Sequence, residues 1–123
     1  MQVYYGLMTV ETDMNYDREL SLEERRKHLQ RAEYYAGLAF DQARTSSKAL
    51  DLAKVKFEQA ILKGRRAEFE SKTGTDLWEV RRLRDEALRA ISGALQDLEN
   101  SNYDSINEKS ACAQHWYNRL KGL

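Results

Sequence analysis

The sequence predicts an all-α protein, either a four-helix bundle or two stacked antiparallel helical hairpins, with a short N-terminal arm. Three observations carry that reading. The 123 residues include no proline and only six glycines, while Ala, Leu, Glu, Arg, Lys and Gln abound, a composition that favours long uninterrupted helices. Apolar residues recur at steps of three and four along most of the chain. Short polar clusters at Thr45-Ser46-Ser47, Lys72-Thr73-Gly74-Thr75 and Asn100-Ser101-Asn102 divide the pattern into four segments. The length suits a single domain, with residues 1–20 as the arm and 21–123 as the helical body.

The arm contains QVYYGLMTV, which is read as a short strand or an extended segment, followed by a polar acidic stretch. Residues 1–24 hold six acids against one base, and residues 25–96 hold 16 bases against 10 acids. An acidic segment beside a basic body is expected to fold back on it or to reach a basic partner. The mildly apolar start lacks a basic leading region and is far too short to span a bilayer, so no membrane role is expected. A single cysteine, Cys112, forms no internal disulfide, which suits a reducing compartment, cytoplasmic or nuclear.

The first helix is expected from Ser21 to about Arg44. Ser21 and Glu24 have the spacing of a capping box, with Leu20 as its staple. Leu22, Leu29, Ala32, Ala36, Ala39 and Ala43 form its core stripe, broadened by Tyr35, Leu38 and Phe40. The turn at 45–47 is so short that the next helix must run antiparallel to it.

The second helix, about Ser47 to Ser71, organises the rest. Leu50, Ala53, Phe57, Ala60, Gly64 and Ala67 make one narrow stripe, in which small residues let a neighbour approach closely around one ring. Leu52, Val55, Leu62 and Phe69 make a second stripe on another face. A helix apolar on two faces is either central in its own domain or half-covered by a partner. Gly74 suits the left-handed position after this helix, and Thr75 is the expected cap of the third. Val80, Leu83, Ala87, Ile91, Ala94 and Leu98 are the core of the third helix. Ser101 with Asp104 is the expected start of the fourth, whose apolar positions are Ile106, Ala113, Trp116, Tyr117 and Leu120.

LDLAKVKFEQAI, residues 50–61, resembles the second helix of a tetratricopeptide repeat, with Ala53, Phe57 and Ala60 at the small, aromatic and Ala positions. It is also similar to a helix of the 14-3-3 proteins. In the tetratricopeptide family those positions pack against the preceding helix, and the resemblance implies a helical scaffold that binds peptides or proteins. The preceding helix departs from the pattern: the expected Trp, Leu-Gly and Tyr fall on Gly37, Phe40-Asp41 and Arg44. A 34-residue period is also missing.

Chemistry-bearing constellations are sparse. Cys112 and His115 share a helical face, but two ligands do not close a metal site, and a Cys–His pair needs a third orienting group. No Glu-x-x-His of a carboxylate-bridged metal site occurs. No enzyme activity and no cofactor are therefore expected. The 20 basic and 20 acidic side chains cancel, which excludes a globally basic nucleic-acid binder but leaves room for a local patch. Arg65, Arg66, Arg81 and Arg82 flank one turn and could converge on phosphate or carboxylate groups. Of the adjacent aromatic pairs Tyr34-Tyr35 and Trp116-Tyr117, one member of each is expected in the core and the other at a rim.

The sequence thus points first to a protein-interaction or oligomerisation module. Its surplus apolar face, Tyr35, Leu38, Leu52, Val55, Leu62 and Phe69, would be covered by a partner helix or by a second copy in a homodimer. The alternative is a small regulator that binds phosphate or nucleic acid through Arg65, Arg66, Arg81 and Arg82.

Overall fold

The computed structural model describes residues 2–45 and 48–123, and among them the structure is all-helical. The helices are α1 (Gln2–Asn15), α2 (Leu22–Arg44), α3 (Ala49–Lys72), α4 (Leu77–Asn100) and α5 (Ile106–Lys121). The segment expected as an extended arm is α1. Fourteen residues make a marginal helix in water, so α1 depends on what it docks against. Met8 supplies that anchor, buried among Leu29, Ala32, Leu62 and Phe69.

Side-chain bonds fix the directions of neighbouring helices. Between α2 and α3, Arg26 Nε donates to Glu70 Oε1 (2.9 Å), Arg66 Nη1 to Glu33 Oε1 (2.6 Å) and Gln59 Nε2 to the Ala36 carbonyl (3.4 Å). One number rises as the other falls, so the two helices are antiparallel. Asn15 and Glu11 of α1 reach Arg25 and His28 of α2 in the same antiparallel sense. Between α3 and α5, Lys109 pairs with Glu58 (3.4 Å) and Arg119 with Glu68 (2.5 Å), and both numbers rise together, so these helices are parallel.

α3 is the central element, and its two apolar stripes face opposite sides. Ala53, Phe57, Ala60 and Ala67 pack with Ala87, Ile91, Ala94 and Leu98 of α4 and Ala113, Trp116 and Leu120 of α5. Leu62 and Phe69 pack with α2 and Met8, and Val55 packs with Ala39 and Ala43, flanked by Tyr4. The stripe that resembles a tetratricopeptide helix therefore faces the following helices. The resemblance implied packing against the preceding one, but α2 meets the other face of α3. Burying Val55, Leu62 and Phe69 stabilises the chain by about 1.5–3 kcal/mol each relative to leaving them in water.

Several caps follow the expected chemistry and others shift. Ser21 caps α2, accepting from the Glu24 N–H at 3.1 Å. Ser46 and Ser47 lie outside the described residues. The cap of α4 is Asp76, which accepts from the Trp78 N–H at 3.1 Å; Thr75 is diverted, its hydroxyl donating to Glu70 at 2.6 Å. α5 starts at Ile106 because Ser101 serves as the C-cap of α4. Leu22, expected in the core stripe, is half-exposed at the first position of α2. Among the described residues no helix is long and apolar enough to cross a membrane.

Candidate functional site

The six residues expected to meet a partner divide by burial. Val55, Leu62 and Phe69 are sealed inside the chain. Tyr35 and Leu52 pack half-buried against the same clusters, and Leu38 is likewise half-buried. The surplus face is thus covered from within, by α2 and by the helix that replaces the arm. This corrects the premise that a second molecule must hide it. Of Tyr34 and Tyr35, the second lies against the core; Tyr34 is 64% exposed and meets its neighbour edge-on, with ring centroids 5.7 Å apart. Trp116 is buried, while Tyr117 is half-buried and its hydroxyl bonds Ser92 at 2.9 Å.

The four arginines expected to converge do not share one pocket. Arg66 and Arg82 border a groove of about 310 Å³ between α3 and α4, but Glu33, Glu79 and Glu86 border it too. Arg66 is held by Glu33, and Arg82 grips Glu79 (2.5 Å) and Glu86 (3.1 Å). The Arg82 bond, aided by the charges of Arg82 and Arg66, holds the Glu79 carboxyl below its usual range. These acids neutralise the groove. Arg81 is exposed and makes no ion pair among the described residues.

Arg65 belongs to a different cleft, bordered by the α1–α2 connection and the last turns of α3 and about 260 Å³ in volume. Arg18, Arg25 and Lys72 line it with Arg65, and Glu68 is its acid. Glu68 is already taken up, accepting Arg119 Nε at 2.7 Å and Nη2 at 2.5 Å, with the Lys72 ammonium 3.8 Å away. Arg25 lies in α2 and Arg65 in α3, far apart in the sequence. Nothing local connects them, because the connection is made by the fold-back of the N-terminal segment, which the charge asymmetry suggested but as an arm and not as a helix. The isolated Arg18 within an acidic stretch was the available signal.

A second grouping of acids and bases sits at the same end of α3. Glu70 is 7% exposed and receives both Arg26 and the Thr75 hydroxyl, while Arg66 Nε stands 3.7 Å off. Burial pushes the Glu70 carboxyl up, but the bonds from Arg26 and Thr75 and the charges of Arg26 and Arg66 outweigh it, leaving a net lowering. This is structural chemistry that ties α2, α3 and the start of α4 together.

Nucleophilic and metal chemistry find little footing. Cys112 packs half-buried beside the α3–α4–α5 cluster, and burial together with the nearby Glu58 charge pushes its thiol up, away from the reactive thiolate. His115 is exposed and lies edge-on to Trp116, 6.1 Å between centroids. Among the described residues no group of three or more His, Cys, Asp or Glu is placed to hold a metal ion.

The largest exposed apolar features lie elsewhere than the sequence suggested. α4 opens with Leu77, 54% exposed, and Trp78, 77% exposed. Both sit in the first turn of α4. No protein-family model, curated protein or solved structure matches this chain.

Proposed function

We propose that the chain is a protein-interaction module, an adaptor built of stacked antiparallel helical hairpins, that self-associates as a homodimer. Its contact surface is the end of the molecule carrying Leu77 and Trp78. The exposure of Trp78 is the observation that carries this reading. Among the described residues most large apolar side chains are at least partly withdrawn from water, and Trp is the residue type most enriched among interface hot spots. Leu77 extends the knob. Leu22 lies at the same end, since Arg26, one turn further along α2, reaches Thr73 just before α4 (3.1 Å).

A second copy is favoured as the occupant by charge. Twenty bases balance 20 acids, so two copies meet without net repulsion, and near-zero net charge promotes association. The neighbouring surface is mixed in sign, with Arg82 bound to Glu79 and Glu86 and Arg81 left open, which suits a self-complementary two-fold contact.

Sedimentation equilibrium at micromolar concentrations tests the proposal. The unaltered chain should be dimeric and Trp78→Lys monomeric, with an unchanged helical circular dichroism spectrum because the indole is outside the core. The dimer should also blue-shift tryptophan emission as concentration rises. A monomeric unaltered chain, or a dimer that survives Trp78→Lys, overturns it.

A further inference from the structure

We infer that the cleft between the α1–α2 connection and the end of α3 binds the phosphate group of a small phosphomonoester through Arg18, Arg25 and Arg65. This inference is independent of self-association and uses a different surface. Elsewhere in the chain, arginines drawn into the fold meet carboxylates: Arg26 meets Glu70, Arg66 meets Glu33 and Arg119 meets Glu68. The arginines of this cleft do not. Arg25 Nε donates to the Asn15 carbonyl at 2.6 Å, and its guanidinium lies 5.5 Å from the Phe69 ring centre. The Arg65 guanidinium lies 5.3 Å from the ring centres of both Tyr16 and Trp116, with Nη1 donating to the Tyr16 hydroxyl at 2.5 Å. Arg18 is exposed at the mouth and has no ion pair among the described residues.

Two of the three cations are thus fixed in place by neutral partners, which orients them without spending their charge. The Nη groups of Arg25 and the Nε and Nη2 of Arg65 retain donors with no protein acceptor among the described residues. Lys72 adds a fourth positive charge at the rim, and Glu68, the one acid, is held by Arg119. Fixed guanidiniums with spare paired donors match the oxygens of a phosphate dianion. A volume of about 260 Å³ leaves room for an organic group on the fourth oxygen.

Calorimetric titration at low salt, with inorganic phosphate and ribose 5-phosphate as probes, tests this. Both should bind saturably, ribose 5-phosphate the tighter by threefold or more, and added salt should weaken both. Tighter inorganic phosphate would identify the free ion as the natural source and overturn the phosphomonoester assignment. Arg25→Gln and Arg65→Gln should each weaken binding at least tenfold. Because Arg65 also supports Trp116, Arg18→Gln serves as the variant without a packing role and should weaken binding about threefold. Arg81→Gln, outside the cleft, should leave it unchanged. In a Trp78→Phe background, Trp116 emission should change on binding, since Arg65 rests on that ring. Absence of saturable binding, or equal binding in Arg18→Gln and Arg25→Gln, overturns the inference.

Discussion

Gly64 of α3 lies against the indole of Trp116 in α5, so that a Cβ at position 64 would come 3.1 Å from Trp116 Cε3 and 3.6 Å from Leu120 Cδ1. The ring has little freedom to retreat. The guanidiniums of Arg65 and Arg119 stand 5.3 and 4.8 Å from its centre, and the indole is 3% exposed. Two effects oppose each other when Gly64 is changed. Alanine gains about 1 kcal/mol of helix propensity, whereas crowding a packed interior costs about 1–3 kcal/mol. Gly64→Ala should therefore be neutral to destabilising by about 2 kcal/mol, and Gly64→Val should lose about 3 kcal/mol. Thermal melting should rank the three Gly, Ala, Val from most to least stable; Gly64→Ala melting well above the parent would mean that the ring yields freely.

Met8 tests whether α1 is the cover of the second stripe. Its side chain closes the cluster of Leu29, Leu62 and Phe69. Met8→Ala should cost about 2 kcal/mol, the lower end for a buried methionine truncation. Met8→Asp buries a charge without a partner and should release α1. Helical circular dichroism would then fall by about one helix, and a hydrophobic dye should bind at the uncovered Leu62–Phe69 face. Unchanged dye binding and melting in Met8→Asp would show that another element covers that face.

That same stripe explains how far the sequence could be read. Periodicity located α2 to α4 to within a few residues, because each carries a full apolar face whose spacing needs no knowledge of its neighbours. It also identified α3 as apolar on two sides. What it lacked was the identity of the cover. In α1, Met8 is the main anchor, and Leu7 and Val10 remain partly exposed, so the segment shows no clean stripe. Its helicity comes from tertiary docking, which local pattern does not encode. The arginines failed for a related reason. Their sequence proximity suggested one patch, but helical geometry sends Arg65 and Arg66 to different clefts, about 100 degrees apart on α3. Trp78 lies at the start of its helix beside Leu77, and only the structure distinguishes it from the buried Trp116.

Glu70 sets an acid limit on stability. Its carboxyl is held below the ordinary glutamate value of about 4.3. A group whose folded value is depressed contributes stability fully above its unfolded value and loses it as pH falls through the folded value. The contribution of the Arg26–Glu70–Thr75 grouping should therefore be intact at neutral pH and decline progressively as pH falls below about 4.3. Glu70→Gln removes the charge while keeping the shape, and should cost about 2 kcal/mol at pH 7, the scale of hydrogen bonds to a charged group. The cost should shrink as pH is lowered past the ordinary glutamate value, because the unfolded chain then takes up the proton first and the advantage of the ionised folded form falls away. Denaturant midpoints across that range provide the check; a penalty that does not shrink on acidification would deny Glu70 this role.

Two left-handed residues close α3 and α4 in the same way, and a pair of alanine substitutions measures what that closure is worth. Gly74 has φ of 80° and Asn102 has φ of 55°. After Gly74, the Thr75 N–H reaches the Glu70 carbonyl at 3.3 Å; after Asn102, the Tyr103 N–H reaches Leu98 at 3.3 Å while Asn102 N–H itself reaches Glu99 at 3.2 Å. Both are Schellman-type ends, which satisfy carbonyls the helix leaves open. No atom lies within 4 Å of a Cβ built on Gly74, so Gly74→Ala pays only in backbone strain, about 1–2 kcal/mol. Asn102→Ala should cost about 1 kcal/mol or less because asparagine already carries part of the strain, and Asn102→Gly should fall within about 0.5 kcal/mol of the parent. The two ends differ in one respect. Gly74 also places Thr75, whose hydroxyl bonds Glu70, so its alanine variant should blunt the acid transition as well as lower the melting temperature. Combining Gly74→Ala with Glu70→Gln should therefore cost less than the two losses added together, whereas Asn102→Ala with Glu70→Gln should be additive. Additivity in both pairs would separate the turn from the carboxylate it is placed to hold.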